Sequence, residues 1–269
     1  MWRIKMHNIK DANRIVIKVG TSTLTHLTGR LNIRTVEKFV KVLADLKNMG
    51  KEIIIVTSGA VGVGMSKAGF DKKPDEITKK QALAAIGQCE LMNYYGRLFE
   101  DYHHTVAQIL LTKDVIEDEK RYKNAKTTFE TLLNLSVIPV VNENDVISTE
   151  QLEFGDNDTL SAYVSVLTNA DLLIILSDID GLYDKDPKNN PDAKIIDVVD
   201  EITDEIKKGA GSEGSNRGTG GMITKLTAAQ IATEKGIDMI IANGKDPMIL
   251  YDIFDGKKTG TLFLGRGDK

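Results

Sequence analysis

Cysteine, proline and aromatic residues are scarce in this chain of 269 residues. Cys89 is the only cysteine, so no disulfide can form within the chain. With only four histidines beside it, the composition excludes the cysteine-rich zinc modules. The five prolines are scattered, and no low-complexity linker divides the sequence. The length allows one large domain or two small ones, neither of which needs disulfide or zinc staples.

Long apolar runs and a surplus of positive charge are also missing. The longest aliphatic runs, Ile53–Val56 and Leu172–Leu176, are far shorter than the ~20 residues needed to cross a bilayer. The first ten residues contain no apolar stretch of the kind found in signal peptides. The formal net charge is −4, whereas duplex-binding proteins usually carry a strong basic surplus. These features predict a cytoplasmic protein that binds neither a membrane nor nucleic acid.

Short apolar runs alternate with longer helical stretches along the chain. The runs predict strands at Arg14–Val19, Ile53–Val56, Val106–Leu111, Val137–Val141, Leu172–Leu176 and Met239–Ala242. The spacing of apolar residues predicts helices at Ile33–Met49 and near residues 77–101, 122–135, 157–170 and 222–235. Continuous apolar strands separated by helices indicate an α/β fold, with a mainly parallel sheet covered on both faces.

Glycines and hydrogen-bonding residues follow four of the predicted strands. They occur as Lys18-Val19-Gly20, Thr57-Ser58-Gly59, Asn142-Glu143-Asn144-Asp145 and Ser177-Asp178. Because open parallel sheets bind ligands at the carboxyl ends of their strands, these segments together predict one site. Lys18 lies inside an apolar strand, where an unpartnered lysine is costly to bury. With Gly20 two residues later, we interpret it as a cation directed at a phosphate.

A glycine-rich segment near the carboxyl end gives the strongest local signal. Gly218–Lys225 reads GTGGMITK, in which glycines allow the backbone to wrap a phosphate and Lys225 falls in the first turn of a helix. Upstream, Gly209, Gly211 and Gly214 match GxGxxG but follow a charged helical stretch, so the dinucleotide motif of nicotinamide enzymes lacks its strand. Lysines and glycine loops without an evident histidine base suit phosphoryl transfer to a carboxylate, which is already ionised at pH 7.

These motifs resemble the amino acid kinase family, over nearly the whole chain. The matching segments are residues 15–24 (IVIKVGTSTL), 55–64 (IVTSGAVGVG), 139–148 (PVVNENDVIS), 154–162 (FGDNDTLSA), 176–187 (LSDIDGLYDKDP) and 218–229 (GTGGMITKLTAA). NEND, GDND and SGAVGVG together are typical of the members that phosphorylate L-glutamate. The resemblance implies a single domain over residues 1–269, built as a three-layer α/β/α sandwich around a mainly parallel sheet. It also implies transfer of the γ-phosphoryl group of ATP, with Mg²⁺, to the side-chain carboxylate of L-glutamate in proline biosynthesis.

The resemblance assigns roles to individual residues. The residues that act on the transferring phosphoryl group would be Lys18, Lys225 and the carboxylate that orients them, Asp158. Those that bind the amino acid would be Ser58, Gly59, Asp145 and Asn157. Those that bind the nucleotide would be Lys18, Ser177, Asp178, Thr219, Gly220, Gly221, Met222, Ile223, Thr224 and Lys225. The amino-terminal part would thus serve the amino acid and the carboxyl-terminal part the nucleotide, with no residue assigned as a metal ligand.

Other readings of the sequence stay open. The chain could act as another kinase of the family, on aspartate, acetylglutamate or uridylate, or as a catalytically silent nucleotide-binding regulator. Loss of a phosphate lysine would mark the regulator, and both Lys18 and Lys225 are present. The resemblance also predicts a homo-oligomer and feedback inhibition by proline. Many members continue into a carboxyl-terminal PUA domain of an RNA-binding type, and we expect none in this chain, which ends at Lys269.

Overall fold

A single sheet runs through the computed structural model, which describes residues 9–26, 28–148, 156–187, 189–209 and 221–266. Its strands, β1 to β8 in chain order, are Arg14–Val19, Glu52–Val56, Val106–Leu111, Ile138–Glu143, Leu172–Ser177, Val198–Val199, Asp238–Asn243 and Thr261–Phe263. Their order across the sheet is β3-β4-β2-β1-β5-β7-β8-β6. Neighbouring strands are parallel except β7 and β8, which are antiparallel. The carboxyl ends of the parallel strands β4, β2, β1 and β5 therefore meet at one edge.

Helices cover both faces of this sheet. Those that lie within the described residues, α1 to α10 in chain order, are Thr21–Leu24, Ile33–Asn48, Ala60–Ala68, Ile77–Glu100, Asp114–Glu117, Glu119–Asn134, Asn157–Leu167, Asp204–Gly209, Met222–Thr233 and Ile249–Phe254. None of these helices combines the length and apolar character that a bilayer span requires. The arrangement is the predicted α/β/α sandwich.

The alternation of side chains along β1 determines which layer each residue joins. Ile15 and Ile17 are fully buried in the core that contains the apolar face of α2. Val16 belongs to the opposite core, which is built with residues of α7 and α9. Lys18 has the same parity as Val16, so its side chain is directed to the layer of α7 and α9. A two-residue period therefore brings a lysine of the first strand to helices much later in the chain.

The six predicted strands and the five predicted long helices are all present, with ends shifted by a few residues. Helix α7 ends earlier than predicted, because Thr168 bonds back to the carbonyl of Val164 and Asn169 adopts a left-handed conformation with φ of 50°. The short elements α1, α5 and β6 span only two to four residues. Runs of that length are too short for a periodic pattern to register.

Helices α3 and α4 approach each other closely, at a contact that only glycine permits. A Cβ atom on Gly64 of α3 would lie 1.9 Å from the carbonyl oxygen of Leu83, and one on Gly87 of α4 would lie 1.8 Å from that of Ala60. Both partners are backbone atoms, which cannot swing aside as a side chain could. The contact therefore fixes the amino-terminal end of α3 against α4.

Gly87→Ala should lower the free energy of unfolding by about 1–3 kcal/mol or more, because the added methyl group has no space. Gly96→Ala is a matched control in the same helix, since its Cβ would meet nothing within 4 Å. That substitution should raise stability by about 0.5–1 kcal/mol through the lower entropy of the unfolded chain. Urea unfolding of both variants is the measurement. Equal effects in the two variants would contradict the close contact.

Candidate active site

A cavity of about 440 Å³ opens where strands β1, β2, β4 and β5 end. Residues predicted from the sequence to form a site follow all four of these strands, and they line the cavity. The predicted site residues among its lining are Lys18, Gly20, Ser58, Gly59, Asp145, Asn157, Ser177, Asp178 and Lys225. The sheet thus brings together segments that are up to about two hundred positions apart in the sequence.

Two lysines share one carboxylate at the base of this cavity. Nζ of Lys18 lies 2.6 Å from Oδ1 of Asp158, and Nζ of Lys225 lies 3.0 Å from Oδ2 of the same residue. The exposed fraction is 9% for Lys18, 4% for Lys225 and zero for Asp158. Asp158 and Lys225 occupy the first turns of α7 and α9, which face β1 in the same layer. The cluster carries one more positive than negative charge and so favours an anion in the cavity.

The pKa values of the two acids at the start of α7 are shifted in opposite directions. Burial opposes ionisation of Asp158, but the ammonium groups of Lys18 and Lys225 outweigh it and hold the pKa of this carboxyl below its ordinary value. Burial raises the pKa of Asp156, and the charge of Asp158 adds to the rise. Hydrogen bonds to Asp156 from the backbone N–H groups of Asp158 and Thr159 offset this rise only in part. These two bonds cap α7 and place Asp158 between the lysines.

Asn157 links two strand ends, those of β2 and β4, at one wall of the cavity. Its Nδ2 atom is 2.7 Å from the carbonyl oxygen of Thr57, 2.9 Å from Oγ of Ser58 and 2.9 Å from Oδ1 of Asn142. Thr57 is held in turn by the buried hydroxyl of Tyr95, 3.0 Å from its Oγ1. Burial raises the pKa of that tyrosine, so the hydroxyl remains protonated. This wall is therefore a rigid, hydrogen-bonded surface.

The amino-terminal end of α3 faces the same cavity. Gly59 adopts φ of 92°, a conformation that favours glycine, and turns the chain from β2 into α3. Ser58, Gly59 and Ala60 all line the cavity, so the first N–H groups of the helix are offered to it. Helix amino termini attract anions. Asp145 also lines the cavity and is half-buried.

The residues predicted to bind nucleotide are only partly gathered in the cavity. Ser177 and Asp178 line it, and the hydroxyl of Ser177 donates to Oδ1 of Asp178 over 3.2 Å. Thr224 has its hydroxyl 3.2 Å from Oδ2 of Asp158 and 2.8 Å from the carbonyl oxygen of Gly221. Outside the lining are Gly221, Met222, which packs on the core, and Ile223, which is 58% exposed. Thr219 and Gly220 lie outside the described residues.

The glycines of the GxGxxG match do not follow a strand. The charged stretch before them forms helix α8, which includes Gly209 itself, as the sequence pattern indicated. Gly211 and Gly214 lie outside the described residues. Among the described residues, the segment before these glycines is therefore a helix and not the strand that a dinucleotide-binding motif requires.

Several polar residues at the site had been given no role. Asn142 and Asp156 lie within the NEND and GDND segments, and the position of Asp156 directly before a helix could have identified it as a helix cap. Gln81 and Lys80 of α4 also line the cavity. Gln88, in the same helix, contacts Asn142 from behind the wall. Nothing in the sequence marks these α4 residues, because helical periodicity does not say which side packs on which strand.

Comparison with known proteins shows that this fold belongs to a family of kinases. The model of the amino acid kinase family matches residues 13–243, and the chain belongs to that family. A curated protein of Clostridium perfringens named glutamate 5-kinase is 56% identical over 262 residues, which cover 96% of this chain and 97% of the relative. The protein of the same name from Caldanaerobacter subterraneus is 53% identical over 251 residues, covering 93% of this chain and 68% of the relative.

Solved structures support the same fold at lower sequence identity. Carbamate kinase from Giardia lamblia, bound to AMP-PNP, superposes with a TM-score of 0.68 at 17% identity, covering 96% of this chain and 100% of that one. UMP kinase from Ureaplasma parvum superposes with a TM-score of 0.65 at 11% identity, covering 94% and 99%. At these identities the likeness concerns the fold alone.

Proposed function

We propose that the chain is a glutamate 5-kinase, which transfers the γ-phosphoryl group of ATP to the side-chain carboxylate of L-glutamate. The product is L-glutamyl 5-phosphate, the first intermediate of proline biosynthesis. The identity to curated glutamate 5-kinases over nearly the whole chain carries this proposal. The cavity with its two buried lysines accounts for the chemistry, since phosphoryl transfer depends mainly on positioning and charge neutralisation.

Lys18 and Lys225 neutralise charge during the transfer. The acceptor and the γ-phosphoryl group are both anionic, so their approach is opposed by repulsion unless cations lie beside them. Both ammonium groups are held by Asp158 and border the cavity. An ionised carboxylate attacks without losing a proton, so the site needs no general base. Asp158 serves as a positioning residue, because it holds both lysines.

The amino acid would bind between α3 and the wall that carries Asn157. Ser58, Gly59 and the start of α3 offer hydrogen-bond donors to a carboxylate of L-glutamate. Asp145 and the side-chain oxygen of Asn157 offer acceptors to its ammonium group. An amino acid carries both charges, so donors and acceptors within one cavity match it.

The nucleotide would bind on the side of β5 and α9. Ser177 and Asp178 flank its place in the cavity, and the segment from Thr219 to Lys225 would contribute backbone N–H groups to its phosphates. Among the described residues, no group of three His, Cys, Asp or Glu side chains could hold a metal ion. We propose that Mg²⁺ enters as the counterion of the ATP phosphates, the usual mode of this ion in kinases.

A hydroxylamine trap tests the reaction directly. Purified protein with Mg·ATP and L-glutamate should yield a hydroxamate, because hydroxylamine captures acyl phosphates. L-Aspartate and N-acetyl-L-glutamate serve as alternative acceptors in parallel, and ADP release with UMP tests the uridylate reaction. Hydroxamate with L-glutamate at a kcat/KM at least tenfold above the other acceptors is the expected result. Preference for another acceptor would reassign the substrate, and no turnover with any of them would indicate a silent regulator.

Asp145→Ala should raise the KM for L-glutamate about tenfold or more while the KM for ATP changes less than twofold. The physical reason is that the variant loses the charge that faces the ammonium group. Asp178→Ala is the matched control, since it removes a carboxylate from the nucleotide side of the same cavity and should show the opposite pattern. Steady-state kinetics with each substrate varied in turn measures both. A larger change in KM for ATP in Asp145→Ala would remove this residue from the glutamate site.

We make four further proposals, which concern the compartment, assembly, feedback inhibition and domain organisation of the enzyme. We propose that it acts in the cytoplasm, where ATP is made available. We also propose that it forms a homo-oligomer, which light scattering would measure. Inhibition by L-proline, competitive or not with L-glutamate, would establish the feedback. We propose that residues 1–269 form one kinase domain that carries the activity.

A further inference from the structure

Four side-chain amides form a continuous chain from a surface groove to the cavity wall. Nε2 of Gln88 donates to Oε1 of Gln108 over 3.2 Å. Nδ2 of Asn142 donates to Oε1 of Gln88 over 2.9 Å, and Nδ2 of Asn157 donates to Oδ1 of Asn142 over 2.9 Å. Gln88 is 7% and Asn142 is 3% exposed. The inner part of the chain is therefore shielded from water, where each hydrogen bond matters most.

Backbone groups fix the direction in which this chain runs. The N–H group of Glu143 donates to Oδ1 of Asn142 over 3.0 Å, so this atom must be the acceptor. The carbonyl oxygen of Thr57 accepts from Nδ2 of Asn157 over 2.7 Å, so that atom must be the donor. An amide turned by 180° at either position would place two donors or two acceptors together. Nδ2 of Asn142 must therefore donate to Gln88, and Oε1 of Gln88 must be the acceptor.

With the amides in this orientation, Oδ1 of Asn157 remains available to accept a hydrogen bond from a ligand. All three hydrogen bonds of the Asn157 amide use Nδ2, and among the described residues Oδ1 accepts no hydrogen bond. Asn157 lines the cavity. An amide held in this orientation offers an acceptor, and not a donor, to whatever occupies the cavity.

We propose that Gln88 is a positioning residue for the amino acid substrate, acting from outside the cavity through Asn142. This rests on the proposed function, in which Asn157 accepts a hydrogen bond from the ammonium group of L-glutamate. Oε1 of Gln88 is the acceptor that holds Asn142, and Asn142 in turn holds the amide of Asn157. Without that oxygen, the buried Nδ2 of Asn142 loses its partner, and its amide is held only through Oδ1, by the N–H group of Glu143 and Nδ2 of Asn157. Any rotation that finds Nδ2 a new partner displaces Oδ1, so the amide of Asn157 is held less firmly toward the substrate.

Two substitutions at Gln88 separate positioning from packing. Gln88→Met keeps the length of the side chain and excludes water, but removes the strong acceptor. Gln88→Ala removes more packing, yet the adjoining groove of about 410 Å³ lets water enter and accept from Asn142. Gln108→Met is the matched control at the outer end, because it leaves Oε1 of Gln88 bound to Asn142. Steady-state kinetics and thermal unfolding are measured for wild type and all three variants.

The KM for L-glutamate should rise about tenfold in Gln88→Met, less in Gln88→Ala and less than twofold in Gln108→Met. The KM for ATP should change less than twofold throughout. Thermal stability should follow the other order, with Gln88→Ala the less stable of the two Gln88 variants. If the KM for L-glutamate follows the loss of stability, or if both KM values rise together, the role is structural and the proposal is overturned.

The reaction of the wild-type protein distinguishes a failure of the positioning role from a failure of the proposed function. Turnover of L-glutamate by wild type with an unchanged KM in Gln88→Met contradicts the positioning role alone. No turnover of L-glutamate by wild type contradicts the proposed function and with it this inference. If Gln88→Met does not fold, the proposal is decided by Gln88→Ala, whose KM for L-glutamate must exceed that of Gln108→Met.

Discussion

Lys225→Ala and Lys18→Ala should each lower kcat by about 10²–10³-fold, while the protein remains folded. Each substitution removes one of the two ammonium groups at Asp158 and leaves the cluster without its excess positive charge. Less positive charge then offsets the repulsion between the phosphoryl group and the carboxylate as they approach each other. The carboxylate of Asp158 keeps one partner in either variant, so the fold retains a paired buried charge.

The measurement is ADP release with both substrates saturating, beside circular dichroism and thermal unfolding. Lys235→Ala is the matched control, because Lys235 lies exposed just beyond the end of α9. Its kcat should stay within twofold of wild type. A folded Lys225→Ala or Lys18→Ala variant with a rate within threefold of wild type would remove that lysine from the mechanism.

Asp158→Asn should have the largest combined effect on stability and activity. The substitution leaves two buried ammonium groups beside each other without a counter-charge, and breaking such a pair costs about 3–5 kcal/mol. Turnover should fall as well, since the lysines lose the group that holds them. Asp252→Asn is the control, because its ion pair with Lys257 lies at the surface, where such pairs contribute about 1 kcal/mol or less.

The pH dependence follows from the lowered pKa of Asp158. Its pKa is lower in the folded than in the unfolded protein, where it is about 3.9. The stabilisation by its carboxylate is therefore fully present above that value and is lost as pH falls through the folded pKa. The difference in unfolding free energy between wild type and Asp158→Asn should narrow on acidification below about pH 4. Denaturant unfolding from pH 7 to pH 3 measures it, and a constant difference would contradict the assigned charge.

The sequence was sufficient to predict the layers and the edge that holds the cavity. Apolar strands and helices have distinct periods, and polar residues directly after strands necessarily gather at one end of a parallel sheet. Lys18 could be selected because it interrupts an apolar run. Asp158 could not be selected on such grounds, since an acid in the first turn of a helix is common. Its role came only from family resemblance, and its contacts with both lysines came only from the structure.

Contacts between segments that are distant in the chain could not be predicted from the sequence, for a physical reason. Gln88 and Asn142 meet because α4 packs against β3, the neighbour of β4 in the sheet, and no local pattern encodes which face of a helix meets which strand. Gly64 and Gly87 are a similar case, because a glycine inside a helix usually lowers helix propensity without indicating a contact. Their function in the close approach of α3 and α4 depends on backbone atoms of the opposite helix.

The position of β1 between β2 and β5 has a consequence for synthesis on the ribosome. Ile15 pairs with Ile53 on one side, but on the other side it pairs with Leu172. At about 5–20 residues per second, roughly ten to thirty seconds pass before that second partner is made. During this time one edge of an apolar strand, which ends up central, has no partner to cover it. The nascent chain is thus most vulnerable to aggregation before its carboxyl-terminal half emerges, and the lysine pair cannot form until α9 has been translated.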